Sequence, residues 1–369
     1  MKPRKTPVLK QWLVACSSLL LMSAAQAAEE KVVNVYNWSD YIDEEILSEF
    51  EAETGIKVVY DVFDSNDILE TKLLAGATGY DVVVPSAGFL TRQSQAGVFK
   101  KLDKSKLDNY GNMWDSVIEQ TNRFGPLDEY SINYMWGTTG IGYVEEQILE
   151  RMPDAPVGSL AMIFDPEIAS KFADCGIFVL DAADEMIPSA LAYIGEDPNS
   201  KDKDVIAKAE AVLTAVRPYI QKFHSSEYIN ALANGDICLA VGWSGDIFQA
   251  RDRADEADNG VTVKYTIPEE GAVMWFDQMA VPKDAPHSDN AHVFLDYIMR
   301  PEVIAKASNY VVYANGNKAS HPLLDEEVLN DPAVYPTPEV LESLYIVTPY
   351  DPRTQRVVTR LWTRVKSGQ

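Results

Sequence analysis

The sequence predicts an α/β protein of two lobes, each a mixed, mostly parallel sheet flanked by helices. Three observations carry this. Strand and helix patterns alternate from Lys31 to Pro85 in a β-α-β-α-β succession, which places helices on the faces of a parallel sheet. The third strand, Asp81–Pro85, contains Val82-Val83-Val84 with no polar alternation, as expected of a strand buried on both faces. A second strand–helix succession begins near Gly176, and no low-complexity linker separates it from the first. Lobes without a linker between them are joined by short crossover strands and hinge on them.

The chain opens with a leader. Lys2, Arg4, Lys5 and Lys10 surround the start of a short apolar stretch, Trp12–Met22, and Ala25-Gln26-Ala27 supplies the small-x-small pattern of a signal-peptidase site. Residues 1–27 are expected to be a signal peptide cleaved after Ala27, leaving an exported chain that starts at Ala28. The apolar stretch is too short and wrongly flanked for a stable membrane span. Leu13-Val14-Ala15-Cys16 resembles a lipoprotein box, but Lys10 interrupts the apolar residues before it and most of the apolar run follows it.

The elements then follow in order. Lys31–Tyr36 reads as a strand and Asp43–Thr54 as a helix that Gly55 ends. Lys57–Val62 is the next strand and Asn66–Ala75 the next helix. Tyr134–Tyr143 is a strand passing from one lobe to the other, with Gly137, Gly140 and Gly142 expected to permit tight backbone turns. In the second lobe, Gly176–Leu180 is a strand, Glu185–Gly195 and Val205–Ile220 are helices, and Tyr228–Asn234 is a helix ended by Gly235. Ile237–Val241 is a buried strand leading into the helix Ile247–Ala254. Val261–Ile267 and Val273–Val281 are strands, Asn290–Met299 is an amphipathic helix stopped at Pro301, and helical segments complete the chain. The expected limits are 28–136 for the first part of lobe 1, 137–260 for lobe 2, 261–318 for the return to lobe 1, and 319–369 for C-terminal segments packing on lobe 2.

The 369 residues carry a formal charge of −24, and the leader removes basic residues only, so the mature chain is more acidic still. Such a surface argues against nucleic acid and anionic membranes as partners and draws cations toward a cleft. Cys175 and Cys238 remain after the leader, an even pair in an oxidising compartment, which reads as a disulfide or as two buried thiols. A bridge would brace the strand that leads to Trp243.

Catalytic patterns are weak. Gly242-Trp243-Ser244-Gly245-Asp246 puts Asp246 where the G-x-S-x-G elbow requires glycine. His224, His287, His292 and His321 show no metal-ligand spacing. No P-loop, dinucleotide fingerprint or EF-hand loop is present, so no cofactor or metal is expected and an enzyme is disfavoured.

Binding patterns are stronger. Three times a tryptophan sits near a carboxylate at the end of an apolar strand: Trp38-Ser39-Asp40-Tyr41, Trp243-Ser244-Gly245-Asp246 and Trp275-Phe276-Asp277. In open α/β folds, ligands lie beyond the carboxyl ends of the strands. Trp275 and Asp277 stand two apart on a strand and share a face, while Phe276 points the other way. Taken alone, Trp275 reads equally as core, Asp246 and Asp40 as helix caps, and Glu185 as a first-turn acid favoured by the helix dipole. Taken together, flat aromatic walls with fixed negative charges suit a ligand apolar along its length and cationic at its ends. Alkylammonium ends need carboxylates, each buried methylene gains about 0.8 kcal/mol, and an indole face adds about 0.5–2 kcal/mol for a nearby ammonium.

Longer motifs agree. Tyr36-Asn37-Trp38-Ser39-Asp40-Tyr41, Thr54-Gly55-Ile56-Lys57-Val58-Val59-Tyr60-Asp61, Tyr80-Asp81-Val82-Val83-Val84-Pro85-Ser86, Leu102-Asp103-Lys104-Ser105-Lys106-Leu107, Phe223-His224-Ser225-Ser226 and Leu232-Ala233-Asn234-Gly235-Asp236-Ile237-Cys238 run in order along the chain, as does the ending Val365-Lys366-Ser367-Gly368. With these motifs the chain resembles the periplasmic putrescine/spermidine-binding proteins of bacterial polyamine ABC importers. The resemblance implies a two-lobed periplasmic-binding-protein fold of type II that closes on one polyamine in the interlobe cleft. It further implies a monomer, a periplasmic location and an inner-membrane ABC permease as partner. It places Trp38, Ser39, Asp40 and Tyr41 at the mouth with Ser86 nearby, Glu185, Asp246 and Asp277 on amino groups, and Trp243, Trp275 and Tyr313 around the methylene chain. Cys175 and Cys238 match a disulfide of the putrescine-binding branch. Two departures bear on specificity: Trp275 stands where putrescine-binding members carry phenylalanine and a spermidine-binding branch carries tryptophan, and Gly88 replaces a residue with a side chain. Together they imply a site for putrescine and spermidine, with spermidine favoured.

Overall fold

A computed structural model describes residues 29–368; the leader and its cleavage site lie outside the described residues. The strands are β1 (Val32–Trp38), β2 (Lys57–Phe63), β3 (Val82–Val83), β4 (Ser131–Val144), β5 (Ile177–Val179), β6 (Lys222–Phe223), β7 (Leu239–Trp243), β8 (Val263–Thr266), β9 (Ala272–Ala280), β10 (Ala314–Asn315) and β11 (Leu344–Tyr345). In lobe 1, β1 pairs parallel with β2 and β3, and β9 runs antiparallel between β3 and β4. In lobe 2, β5 pairs parallel with β6 and β7, and β7 and β8 run antiparallel to β4.

The 14-residue strand β4 belongs to both lobes. Its first half, Ser131–Thr138, pairs with β9, and its second half, from Thr139, pairs with β7. Each lobe has its own core. One gathers Val33, Val35, Phe50, Val82 and Phe294, and the other gathers Ile163, Phe172, Ile177, Leu239 and Ile247. The glycines of β4 are not turn residues. A Cβ at Gly137 would stand 2.8 Å from Trp275 Cζ2, and one at Gly142 would stand 2.4 Å from Ile247 Cδ1. They are glycines because neighbouring side chains press against the strand.

Local signals work as expected at the first helix, Glu44–Thr54. Asp43 caps it by accepting from Glu45 N, and Gly55 ends it at φ 67°. The second-lobe helices fall at Ala183–Tyr193, Lys203–Val216 and Tyr228–Ala233. The structure corrects two of the expected lobe limits. Strand β8 pairs with Ile141–Val144 and so lies in lobe 2; the return to lobe 1 begins with β9, not at 261. Val328 and Val334 pack in the lobe 1 core, whereas Val358, Leu361, Trp362 and Val365 of the helix Pro352–Ser367 pack in the lobe 2 core. Only the last part of the tail therefore sits on lobe 2. Between the two parts, Asn199 of lobe 2 clamps the crossing segment, donating to Ile346 O at 2.7 Å and accepting from Thr348 N at 2.8 Å.

Cys175 and Cys238 form a disulfide, with Cα atoms 5.4 Å apart, which leaves the two-thiol alternative unused. It joins the approaches to β5 and β7. Among the described residues no helix is long and apolar enough to cross a membrane.

Candidate functional site

A cavity of about 430 Å³ lies between the lobes, at the ends of β1 and β7 and against the middle of β9, where Trp275 and Asp277 stand. Trp38, the last residue of β1, is fixed by a bond from its Nε1 to Val84 O at 2.8 Å. Its ring meets Trp243 edge-on with centroids 5.3 Å apart. Trp243 ends β7 and donates from Nε1 to both Glu185 carboxylate oxygens, at 3.0 and 3.1 Å. Trp275 on β9 stands against Tyr313, centroids 5.3 Å apart, and reaches the cavity over the bare backbone of Gly137. These rings come from both lobes, so the aromatic wall is complete only with the lobes together.

Three of the cavity's four carboxylates stand against this wall. Asp277 shares the Trp275 face of β9 and accepts from Ser86 Oγ at 2.6 Å and from Tyr41 OH at 2.9 Å. Phe276 points away, stacking on Trp136 in the lobe 1 core. Asp246 lies in the first turn of the helix Ser244–Ala257, whose dipole favours negative charge there. It accepts from Tyr228 OH and Tyr313 OH, each at 2.6 Å. Glu185, in the first turn of Ala183–Tyr193, accepts from Thr139 Oγ1 and the Trp243 indole.

Burial shapes their charge. It pushes Asp246 up to about 6 against the lowering effect of its two tyrosine donors. It pushes Asp277 up to about 7, with Ser86 and Tyr41 opposing and Asp246 adding repulsion. Glu185 is also raised, by burial first and by neighbouring Asp184 second. Among the described residues no lysine, arginine or histidine lines the cavity. The site is thus a polar-rimmed acidic slot with no counter-charge among its described lining, and a bound cation favours the ionised form of its acids.

Of the residues singled out in the sequence, Trp38, Ser39, Tyr41, Ser86, Glu185, Trp243, Asp246, Trp275, Asp277 and Tyr313 line this cavity. Asp40 does not. It sits in a left-handed conformation at φ 53° and pairs with Arg253 of lobe 2, Oδ1 to Nη2 2.7 Å, on the outside of the cleft. The cavity also contains Asp64, Asn66 and Ser225, which sequence reasoning missed. Asn66 exchanges two bonds with Ser86, donating to its Oγ at 3.0 Å and accepting from its backbone N at 3.1 Å. Polar residues at loop–helix junctions have no periodicity to mark them; the closeness of Asp64 and Asn66 to the strand end at Phe63 was the available signal.

Beyond Trp275 and Glu185 the cavity adjoins a second chamber of about 610 Å³, whose lining includes Gly88, Phe89, Asp184, Thr348 and Tyr350. Asn66, Ser86, Glu185 and Trp275 face both spaces.

Two lobes sharing a central strand, with an acidic and aromatic cavity between them, define a solute-binding protein of the two-lobed, type II kind. Residues 45–337 match the bacterial extracellular solute-binding proteins, and the chain belongs to that family. It is 49% identical to a putrescine-binding periplasmic protein of Pseudomonas aeruginosa, over 94% of this chain and 94% of that protein. It is 48% identical to a putrescine-binding periplasmic protein of Escherichia coli, over 99% and 100%. Among solved structures it resembles the spermidine/putrescine ABC transporter substrate-binding protein of Streptococcus pneumoniae, with TM-score 0.72 and 29% identity over 91% of this chain and 99% of that one.

Proposed function

We propose that this protein captures a linear polyamine, putrescine or spermidine, in the periplasm and hands it to an inner-membrane ABC permease. The observation that carries this reading is the pair of buried carboxylates, Asp246 and Asp277, with the half-buried Glu185, facing a cavity of indole and phenol rings with no basic residue among its described lining. A dication with a methylene spine matches that distribution: ammonium ends pair with the acids, and the spine lies on the rings. The names of the relatives point the same way.

In this reading Asp246 and Asp277 are the principal amine anchors and Glu185 is a third. Trp38, Trp243, Trp275 and Tyr313 enclose the methylenes, and Ser39, Tyr41 and Ser86 complete the polar rim. Asp40 acts from outside, holding the lobes together through Arg253. Because the wall comes from both lobes, ligand contacts favour the closed arrangement and present it to the permease. The protein acts as a monomer, after export and cleavage behind Ala27, and returns its ligand chemically unchanged.

The second chamber supports spermidine as the better ligand. It gives a longer amine room past Trp275, with Asp184 on its wall and with Arg92, also on that wall, paired to Glu70 at 2.9 Å. A Cβ at Gly88 would face Val347 O and Pro349 Cγ across that space at 3.8 and 3.9 Å. Titration calorimetry with both amines tests the preference. Spermidine binding at least as tightly as putrescine is expected, and putrescine binding more than tenfold tighter contradicts it.

A further inference from the structure

Asp246 receives two tyrosine hydroxyls, and they come from different lobes. Tyr313 follows the helix Pro301–Val311 of lobe 1, so its bond to Asp246 Oδ1 exists only with the lobes together. Tyr228 opens the helix Tyr228–Ala233 of lobe 2, as do β7 and the helix carrying Asp246 belong to that lobe, so its bond to Oδ2 needs no closure. Tyr228 is fully buried and is not part of the cavity wall. Its hydroxyl has a second bond, accepting from the backbone N of Trp243 at 3.2 Å. One phenol oxygen therefore ties the acid to the backbone of the indole wall, using its single proton on one and a lone pair on the other. The ring reaches this place because residue 242 is glycine: a Cβ there would stand 2.5 Å from Tyr228 Cε2.

We propose that Tyr228 is a positioning residue for amine capture, whose hydroxyl holds the Asp246 carboxylate and the Trp243 wall in register before the lobes meet. This rests on the reading of Asp246 as an amine anchor. Burial and Asp246 keep the Tyr228 phenol well above its ordinary range, so it remains a donor at neutral pH. The other groups acting on Asp246 are Tyr313 from lobe 1, Asp40 from the turn after β1 and Arg253 on its own helix, and Asp246 in turn raises Asp277 and Tyr41, which face it from lobe 1. None of them spans Asp246 and Trp243 as Tyr228 does.

The test is titration calorimetry of putrescine across pH on Tyr228→Phe, Asp246→Asn and the double variant. Tyr228→Phe is expected to bind about ten- to hundredfold more weakly at neutral pH, the scale of a lost bond to a charged group. Its affinity-against-pH curve should move to higher pH, because the carboxylate has lost a donor that favours ionisation. In the Asp246→Asn background the same change should add much less, since the two groups act as a unit. A ring-fluorinated tyrosine at position 228 keeps ring and hydroxyl, and so tests the donor even if the phenylalanine variant folds poorly; a stronger donor should move the curve to lower pH. Weak binding by Asp246→Asn with unchanged binding by Tyr228→Phe overturns this inference alone, as does a loss that is the same at every pH. Unchanged binding by Asp246→Asn overturns the anchor reading and this inference with it.

Discussion

At the residue scale, the decisive feature is a set of acids whose burial between the lobes raises them toward neutrality. Between 3.8 and about 7, folded Asp277 retains a proton that the unfolded chain has released, and Asp246 does so up to about 6. The arrangement with the lobes together should therefore lose stability as pH rises through that window unless a cation offsets the charge. Amine binding needs the ionised carboxylates, so affinity should rise over the same window and level off above it, by about tenfold per pH unit for each carboxylate that titrates. Calorimetry in buffers of different ionisation enthalpy should show proton release on binding near pH 6; equal heats in all buffers would contradict the account. Replacing Asp246 or Asp277 with alanine strands an ammonium group and should cost about 2–5 kcal/mol, thirtyfold or more in affinity. Circular dichroism should show the fold retained. These acids were legible in the sequence because strand alternation puts Asp277 on the Trp275 face and a strand end puts Asp246 at a helix start. Asp40 looked equivalent, but the left-handed turn it adopts sends its side chain to Arg253, and no pattern in the sequence encodes that rotation. Tyr228 was invisible for another reason: its partners lie in a different element, and its own neighbours read as an ordinary amphipathic helix.

At the element scale, the parallel units were readable because Val82-Val83-Val84 and the strand–helix alternation leave few alternatives. The shared strand was also readable, yet the lobe limits were not. Whether Val263–Thr266 joins one lobe or the other depends on which half of β4 it pairs with, and that is a register, not a composition. The glycines of β4 illustrate the same gap, since their reason is a neighbour's side chain and not their own φ. The Cys175–Cys238 bridge closes a loop with a sequence separation of 63 and ties the approaches to β5 and β7. On the chain-entropy account its removal should cost about 4 kcal/mol. A Cys175→Ala/Cys238→Ala variant should therefore unfold at clearly lower urea concentration, with residual polyamine binding below the transition. An unchanged midpoint would mean that the lobe 2 sheet holds these strands unaided.

At the scale of the whole molecule, the cavity wall is divided between two lobes joined by β4 and by the crossing segments near β9 and Ile346. A ligand that touches both bodies stabilises their approach, and the Asp40–Arg253 pair adds a small outer contact. Exposed pairs of this kind contribute about 0–1 kcal/mol, so Arg253→Ala should weaken binding only slightly, mainly through faster release. Stopped-flow tryptophan fluorescence would read that rate through Trp38 and Trp243; a loss as large as that of Asp246→Ala would assign Arg253 to the cavity itself. Small-angle scattering should show a more compact particle once polyamine is added, by the same logic of differential contacts.

On the proposed function, an uncompensated set of acids walled by indoles and phenols selects a linear polyamine. Titration of the purified mature protein with putrescine and spermidine, alongside Asp246→Ala and Asp277→Ala, tests it most directly. Both amines are expected to bind saturably and one to one, spermidine at least as tightly, with severe loss in each variant. No binding of either amine, or unchanged affinity in both variants, would contradict it.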